Sequence, residues 1–303
     1  MFKKESIRIR LLTLISSLCL FLIHGCSRTP VLPADMVLYC ASDSNVVIKR
    51  SDKREEIFAL EQADPRVITA LAYDPIHKVI AISTQIMKVP STGSARLLLI
   101  DPDTRKILRE ISTGMDRINQ MSFDRTGQRI AIIAGQFNLD DPRKFYVLNL
   151  TTGSFQFMGQ GMFLDVSWGL HEYLYLSYKE GEKRFVGSLT AGASTSNIKQ
   201  IAEGISISAS DINDSFVYID MTGKALLVDK RTEVKRPFST PAKLQDMRFL
   251  SSVKFVQGSD SIVMSSFGVQ WYNLYLLRPP YSKAQKILAE WPFQGFAAVA
   301  AGQ

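Results

Sequence analysis

Few residues in this chain are equipped for acid–base or metal chemistry. Of its three histidines, His24 sits in an apolar amino-terminal segment. His77 and His171 occupy the same turn of two similar strand–turn–strand segments, with no cysteine or paired carboxylates nearby, and read as solvated turn residues. The chain has no G-x-S-x-G, no H-E-x-x-H and no Gly-rich phosphate loop. A calcium site needs several carboxylates and amides to converge. Strand-like runs offer Asn119, Asp165 and Asp211 with Ser206 and Ser208, but at differing offsets. The sequence therefore predicts no catalytic residue, no metal and no cofactor. A small-ligand binder or calcium-dependent hydrolase is the alternative.

Charged pairs give a second pattern. Asp64-Pro65-Arg66, Asp116-Arg117 and Asp246-Met247-Arg248 each precede a strand-like run. If those runs line a common axis, Asp64, Arg66, Asp116, Arg117, Asp246 and Arg248 form a charged collar at one end of it. Such pairs serve either as exposed salt bridges between loops, each under about 1 kcal/mol, or as a docking collar. In the second role the Arg forks would read carboxylate or phosphate groups of an acidic or zwitterionic partner. Aromatic residues, including Trp168 and the cluster Trp271-Tyr272-Tyr275, fall in or beside strands and read as packing wedges.

The amino terminus supplies an address. MFKKESIRIR carries four Lys/Arg against Glu5, and an apolar run from Leu11 to Ile23 follows. A basic start, a short apolar centre and a small residue at the end describe a secretory signal. The run is shorter than the roughly 20 residues a membrane-spanning helix needs. Ile23-His24-Gly25-Cys26 resembles the lipobox of bacterial lipoproteins, in which the cysteine receives a diacylglycerol and cleavage falls just before it. His24 departs from the small or aliphatic residue usual at that position. Ser27, in place of the aspartate of inner-membrane retention, implies outer-membrane sorting. The resemblance thus implies a signal peptide over 1–25, a lipidated tether over 26–35 anchored at Cys26, and a periplasm-facing body over 36–303. Its only cofactor-like group would be the lipid.

Removing residues 1–25 lowers the net charge from +7 to +4, since they hold four of the 36 Lys/Arg and one of the 29 Asp/Glu. No dense Lys/Arg run remains, which disfavours nucleic acid as a partner. Cys40 is then the one thiol left beside Cys26, too few for an intrachain disulfide or a metal cluster.

The body shows a hidden repeat. One hairpin type reads ITALAYDPIHKVIAIS (68–83), INQMSFDRTGQRIAII (118–133), LDVSWGLHEYLYLS (164–177), ISISASDINDSFVYID (205–220) and SVKFVQGSDSIVMSS (252–266). A second type alternates with it, starting at 46, 97, 145, 185, 225 and 274. The turns are rich in Asp, Gly, Asn and Pro, which tolerate tight backbone geometry. One hairpin of each type makes a four-stranded antiparallel sheet, and the 40- to 51-residue spacing suits one blade of a β-propeller. The lone strands at 36–42 and 293–301 would pair to complete a blade. The expected fold is all-β, a six-bladed β-propeller closed by pairing of N- and C-terminal strands. A seventh blade would need a degenerate hairpin within 85–96 or 239–250, and neither segment is long enough.

SFDRTGQRIAII resembles the repeat of bacterial WD40-like and TolB-type propellers, and LLLIDPDTRKILREI is similar to the outer hairpin of YncE-like propellers. The Trp-Asp and Gly-His marks of eukaryotic WD40 repeats and the Gly-Trp marks of quinoprotein propellers are absent. The expected role is a membrane-anchored interaction scaffold or accessory subunit of a cell-envelope complex. Its partner would be an envelope protein; a small molecule is the less favoured partner.

Overall fold

The computed structural model describes residues 30–51, 53–61, 65–86, 93–136, 141–232, 234–237, 249–267, 272–291 and 295–301. Within the body, the strands fall on the hairpins expected from the sequence. β1 (Met36–Ala41), β2 (Asn45–Arg50) and β3 (Lys53–Ala59) form a meander. β4 (Arg66–Asp74), β5 (Val79–Ile86), β6 (Arg96–Asp101) and β7 (Lys106–Ser112) form the next ladder. Then come β8 (Ile118–Phe123), β9 (Arg129–Ala134), β10 (Arg143–Asn149) and the first half of β11 (Phe155–Trp168).

β11 then changes partner. Its second half opens the ladder of β12 (Tyr173–Glu180), β13 (Lys183–Thr190) and the first half of β14 (Lys199–Ala209). β14 does the same for β15 (Ser215–Asp220), β16 (Ala225–Asp229) and β17 (Lys235–Pro237). β18 (Phe249–Phe255), β19 (Ile262–Phe267), β20 (Tyr272–Leu277) and β21 (Ala284–Trp291) make a further ladder. The last strand, β22 (Gly295–Ala300), pairs antiparallel with β1, from Met36↔Ala300 to Ala41↔Gly295. Every ladder is antiparallel, and no α-helix occurs among the described residues. The segments 87–92 and 238–248, which a seventh blade would have to use, lie outside the described residues.

Burial grades across each ladder. β4 and β5 are almost continuously buried, whereas the fourth strands β3 and β7 are mostly exposed. Strands buried on both faces read as unbroken apolar runs rather than alternating ones, as in LLLID and IAIIA. The core lies between ladders. One cluster joins Leu97, Leu99 and Ile111 to Met121, Phe123 and Ile132; another joins Leu38, Cys40 and Val47 to Val263, Leu274 and Leu276.

Val31–Asp35, placed by sequence in the tether, are held to the body. Leu32 is fully buried, its N–H donates to Ser51 O at 3.2 Å, and Asp35 pairs with Arg278 at 2.6 Å. The apolar side chain of Leu32 explains the docking, because it fills the seam between the first and last ladders.

Adjacent ladders also meet through their turns. Gly127 has φ +68, and a Cβ there would collide with the Asp74 carboxylate and the His77 ring of the preceding ladder. Asp74 is buried and cannot simply swing out, since its other oxygen accepts from Ile76 N–H at 2.9 Å. Gly127→Val therefore combines a left-handed backbone penalty of roughly 1–2 kcal/mol with displacement of a buried carboxylate. We expect a total loss of about 3 kcal/mol in denaturant unfolding, against no more than the backbone penalty of roughly 1–2 kcal/mol for the same change at Gly181. Gly181 shares a positive φ but would meet nothing within 4 Å, so equal losses would assign the effect to φ alone.

Candidate functional site: a central cavity and its mouth

The first strands of the ladders converge. Residues of β4, β8, β11, β14, β18 and β22 line one cavity of about 480 Å³. It opens between the turns that follow those strands, where Ile76, Lys78, Arg125, Gly169, Ile212 and Gly258 stand. In a four-stranded meander the turns after the first and third strands lie at the same end. The mouth therefore shares its end with Ser51 and with the junction of Asp35 and Ala301.

An inner strand leaves one edge of backbone N–H groups unpaired by its own ladder, and burying them without acceptors is costly. Side chains from the preceding ladder supply the acceptors. Ser122 Oγ accepts from Trp168 N at 2.9 Å, and Ser167 Oγ from Ala209 N at 2.9 Å. Ser208 Oγ accepts from Phe255 N at 3.0 Å, and Asp211 takes Gly258 N at 2.9 Å. Between the last ladder and β22 the backbone does this itself: Gln257 N donates to Ala298 O and Ala300 N to Gln257 O. Ser206 and Ser208, which the sequence offered as possible ligands, are thus joints between ladders.

Asp165 is the most committed of these groups. It accepts from Val166 N at 3.0 Å, Ser206 Oγ at 2.8 Å and Ile207 N at 3.4 Å. Burial nevertheless raises its pKa above the usual carboxylate range, opposed chiefly by the charge of Lys254. Lys254 lines the same cavity from β18, and burial lowers its pKa, opposed by Asp165. Its ammonium stands 5.5 Å from the centroid of the Phe296 ring. Sequence reading missed Lys254: a lone lysine in an apolar strand carries no signal of where it points.

The other candidates are dispersed. Asp165 and Asp211 line the cavity, but Asn119 does not join them; its amide donates to Gly135 O and its carbonyl accepts from Arg117. Among the described residues no group of three or more His, Cys, Asp or Glu could hold a metal. His77 Nδ1 lies 2.6 Å from Asp74 Oδ2, and His171 Nε2 lies 3.6 Å from Asp214.

Arg66 and Arg117 stand at the starts of β4 and β8, the end away from the mouth. Arg66 donates to Ser94 O at 3.0 Å, Arg117 to Asn119 Oδ1 at 3.0 Å, and Asp116 accepts from Gly93 N at 2.8 Å. These groups tie loops to neighbouring strands. Cys26, Asp64, Asp246 and Arg248 lie outside the described residues. Cys40 is buried, and desolvation pushes its thiol up to about 12, so it behaves as a small hydrophobe.

No family model matches the sequence, and a search of curated proteins found no match. Solved structures are similar in backbone. A chain from the crystal structure of a nidogen/laminin complex aligns with TM-score 0.65 at 12% identity, covering 88% of this chain and 99% of that one. TolB from Acinetobacter baumannii aligns with TM-score 0.64 at 13% identity, covering 89% and 68%. A chain of the mitotic checkpoint complex aligns with TM-score 0.54 at 11% identity, covering 82% and 74%. Likeness at such identity speaks for fold and not for activity: this is an all-β chain of the β-propeller fold.

Proposed function

We propose that the chain is a six-bladed ring, closed by β1 and β22 and carried on a lipid at Cys26, that docks an envelope protein at its channel mouth. The observation that carries the reading is the apolar rim of that mouth, where Ile76 is 61% and Ile212 47% exposed beside Pro75, Lys78 and Arg125. Exposed aliphatic residues ringed by cations suit a protein contact that buries the apolar groups and pairs the charges. The serines and aspartates of the cavity wall are occupied in joining blades, which favours a scaffold or accessory subunit over a hydrolase.

Outer-membrane sorting, from Ser27, completes this reading.

Photo-cross-linkers placed at Ile76, Ile212 and Met221 in cells test it. Met221 is an equally exposed apolar residue, 51%, on a turn at the opposite end. We expect one discrete adduct from positions 76 and 212 and none from 221, with palmitate labelling abolished by Cys26→Ser. Adducts from 221 alone would move docking to the other end, and label retained in Cys26→Ser would remove the lipid anchor.

A further inference from the structure

We propose that the central cavity is a binding site for a small monocarboxylate, its anionic head held by Lys254 on the cavity wall and its apolar body lying toward Leu71, Met121 and Phe296. This goes beyond the docking reading and does not rest on it, because it uses Lys254 on the cavity wall and not the exposed residues Ile76 and Ile212 at the mouth of the same cavity.

The volume of about 480 Å³ falls in the range of small-molecule sites, and the lining mixes apolar residues with a few polar ones. An ammonium brings three donors and no acceptor. Among the described residues those of Lys254 meet the face of Phe296 and the field of Asp165, with no hydrogen bond and no ion pair. Asp165 does not take them up, because its oxygens already accept from Val166, Ser206 and Ile207. Ser206 and Ser208 are likewise engaged, the first donating to Asp165 and the second accepting from Phe255. A half-buried cation therefore faces a cavity, open at its mouth, in which no described residue completes its coordination, and such a cation is stabilised by an anion that does.

Charge and shape narrow the ligand class. Lys254 offers one positive charge and the Asp165 carboxylate already influences it, so the site tolerates at most one further negative charge and disfavours a dianion such as phosphate. Leu71, Met121 and Phe296 line the same cavity and accommodate a short aliphatic or aromatic body. At the mouth Lys78 and Arg125 favour entry of anions over cations.

Benzoate is a suitable probe, with benzamide as its uncharged isostere. Calorimetric titration of the purified full chain should show saturable benzoate binding at one site, and at least tenfold weaker binding of benzamide. Lys254→Met should weaken benzoate at least tenfold while leaving the unfolding midpoint of the free protein at or above that of the parent, since it removes a buried charge. Should that variant fold poorly, the Lys254 Nζ signal in reductively ¹³C-methylated protein reads the same contact, and it should shift with benzoate and not with benzamide. Absence of saturable binding at millimolar benzoate, equal binding of benzamide, or undiminished binding by Lys254→Met would overturn the assignment.

Discussion

Truncating Phe296 to alanine lowers the unfolding free energy by about 3–5 kcal/mol, the range for deleting a buried aromatic side chain. Phe296 is only 2% exposed although it lies near the end of the chain. It stands on β22 opposite Cys40 of β1, and packs with Leu38, Val256 and Val263, residues drawn from the first and last ladders. The cavity left by its removal opens at the seam the two chain ends create. The surrounding strands are held there by their own ladders and cannot collapse onto it.

Denaturant unfolding of the full chain checks this, with Phe157→Ala as the control. Phe157 is 56% exposed on an outer strand, and its truncation should cost under about 0.5 kcal/mol. A loss below about 1 kcal/mol for Phe296→Ala would mean that β22 contributes little to holding the ends together.

The second large effect belongs to Asp165. Asp165→Ala strands the Ser206 hydroxyl and the Ile207 N–H without their acceptor and leaves Lys254 without its negative neighbour. Stranding buried donors costs about 1–3 kcal/mol each, and losing the Asp165 charge removes the field that favours the Lys254 cation. Asp165→Asn keeps an acceptor oxygen and should cost less. The double variant Asp165→Asn/Lys254→Met removes both charges and should recover most of the remaining loss. A double variant no more stable than Asp165→Asn would show that the two groups do not interact.

The pH dependence has a definite sign. Because the folded pKa of Asp165 is raised, the native state holds a proton that the unfolded state has already released. Its contribution is complete below the unfolded carboxylate pKa and is lost as pH rises through the folded value. Asp165→Asn should therefore reduce the fall in stability between acidic and neutral pH. Lys254, with its pKa lowered, acts oppositely on the alkaline side: the unfolded state binds more protons there, so stability gains as pH rises.

Strand positions were legible because they rest on local chemistry. Runs such as RIAIIA and RLLLID are too short for core helices and are bounded by turn residues, so they bury nearly every residue as strands, and the turns between strands carry Gly127, Gly153 and Gly223, all at positive φ. The site was legible only in part. Asp165 and Asp211 could be picked out as acids on or beside inner strands, and both line the cavity. Asn119 looked equivalent and is not, because it lies toward the other end of its strand and bonds Arg117 and Gly135. The Arg66 and Arg117 pattern was visible, but not that it stands at the end opposite the mouth.

By itself, the sequence determined an all-β chain of alternating hairpins, few groups capable of catalysis, and an amino terminus patterned for export. Those properties depend on residues within a few positions of one another. Only the tertiary structure decided that Ser122, Ser167 and Ser208 bond backbone 42 to 47 residues away, that Leu32 packs into the body, and that Lys254 faces a cavity. Each of these joins parts of different ladders, and such a contact exists only once the ladders have stacked around a common axis.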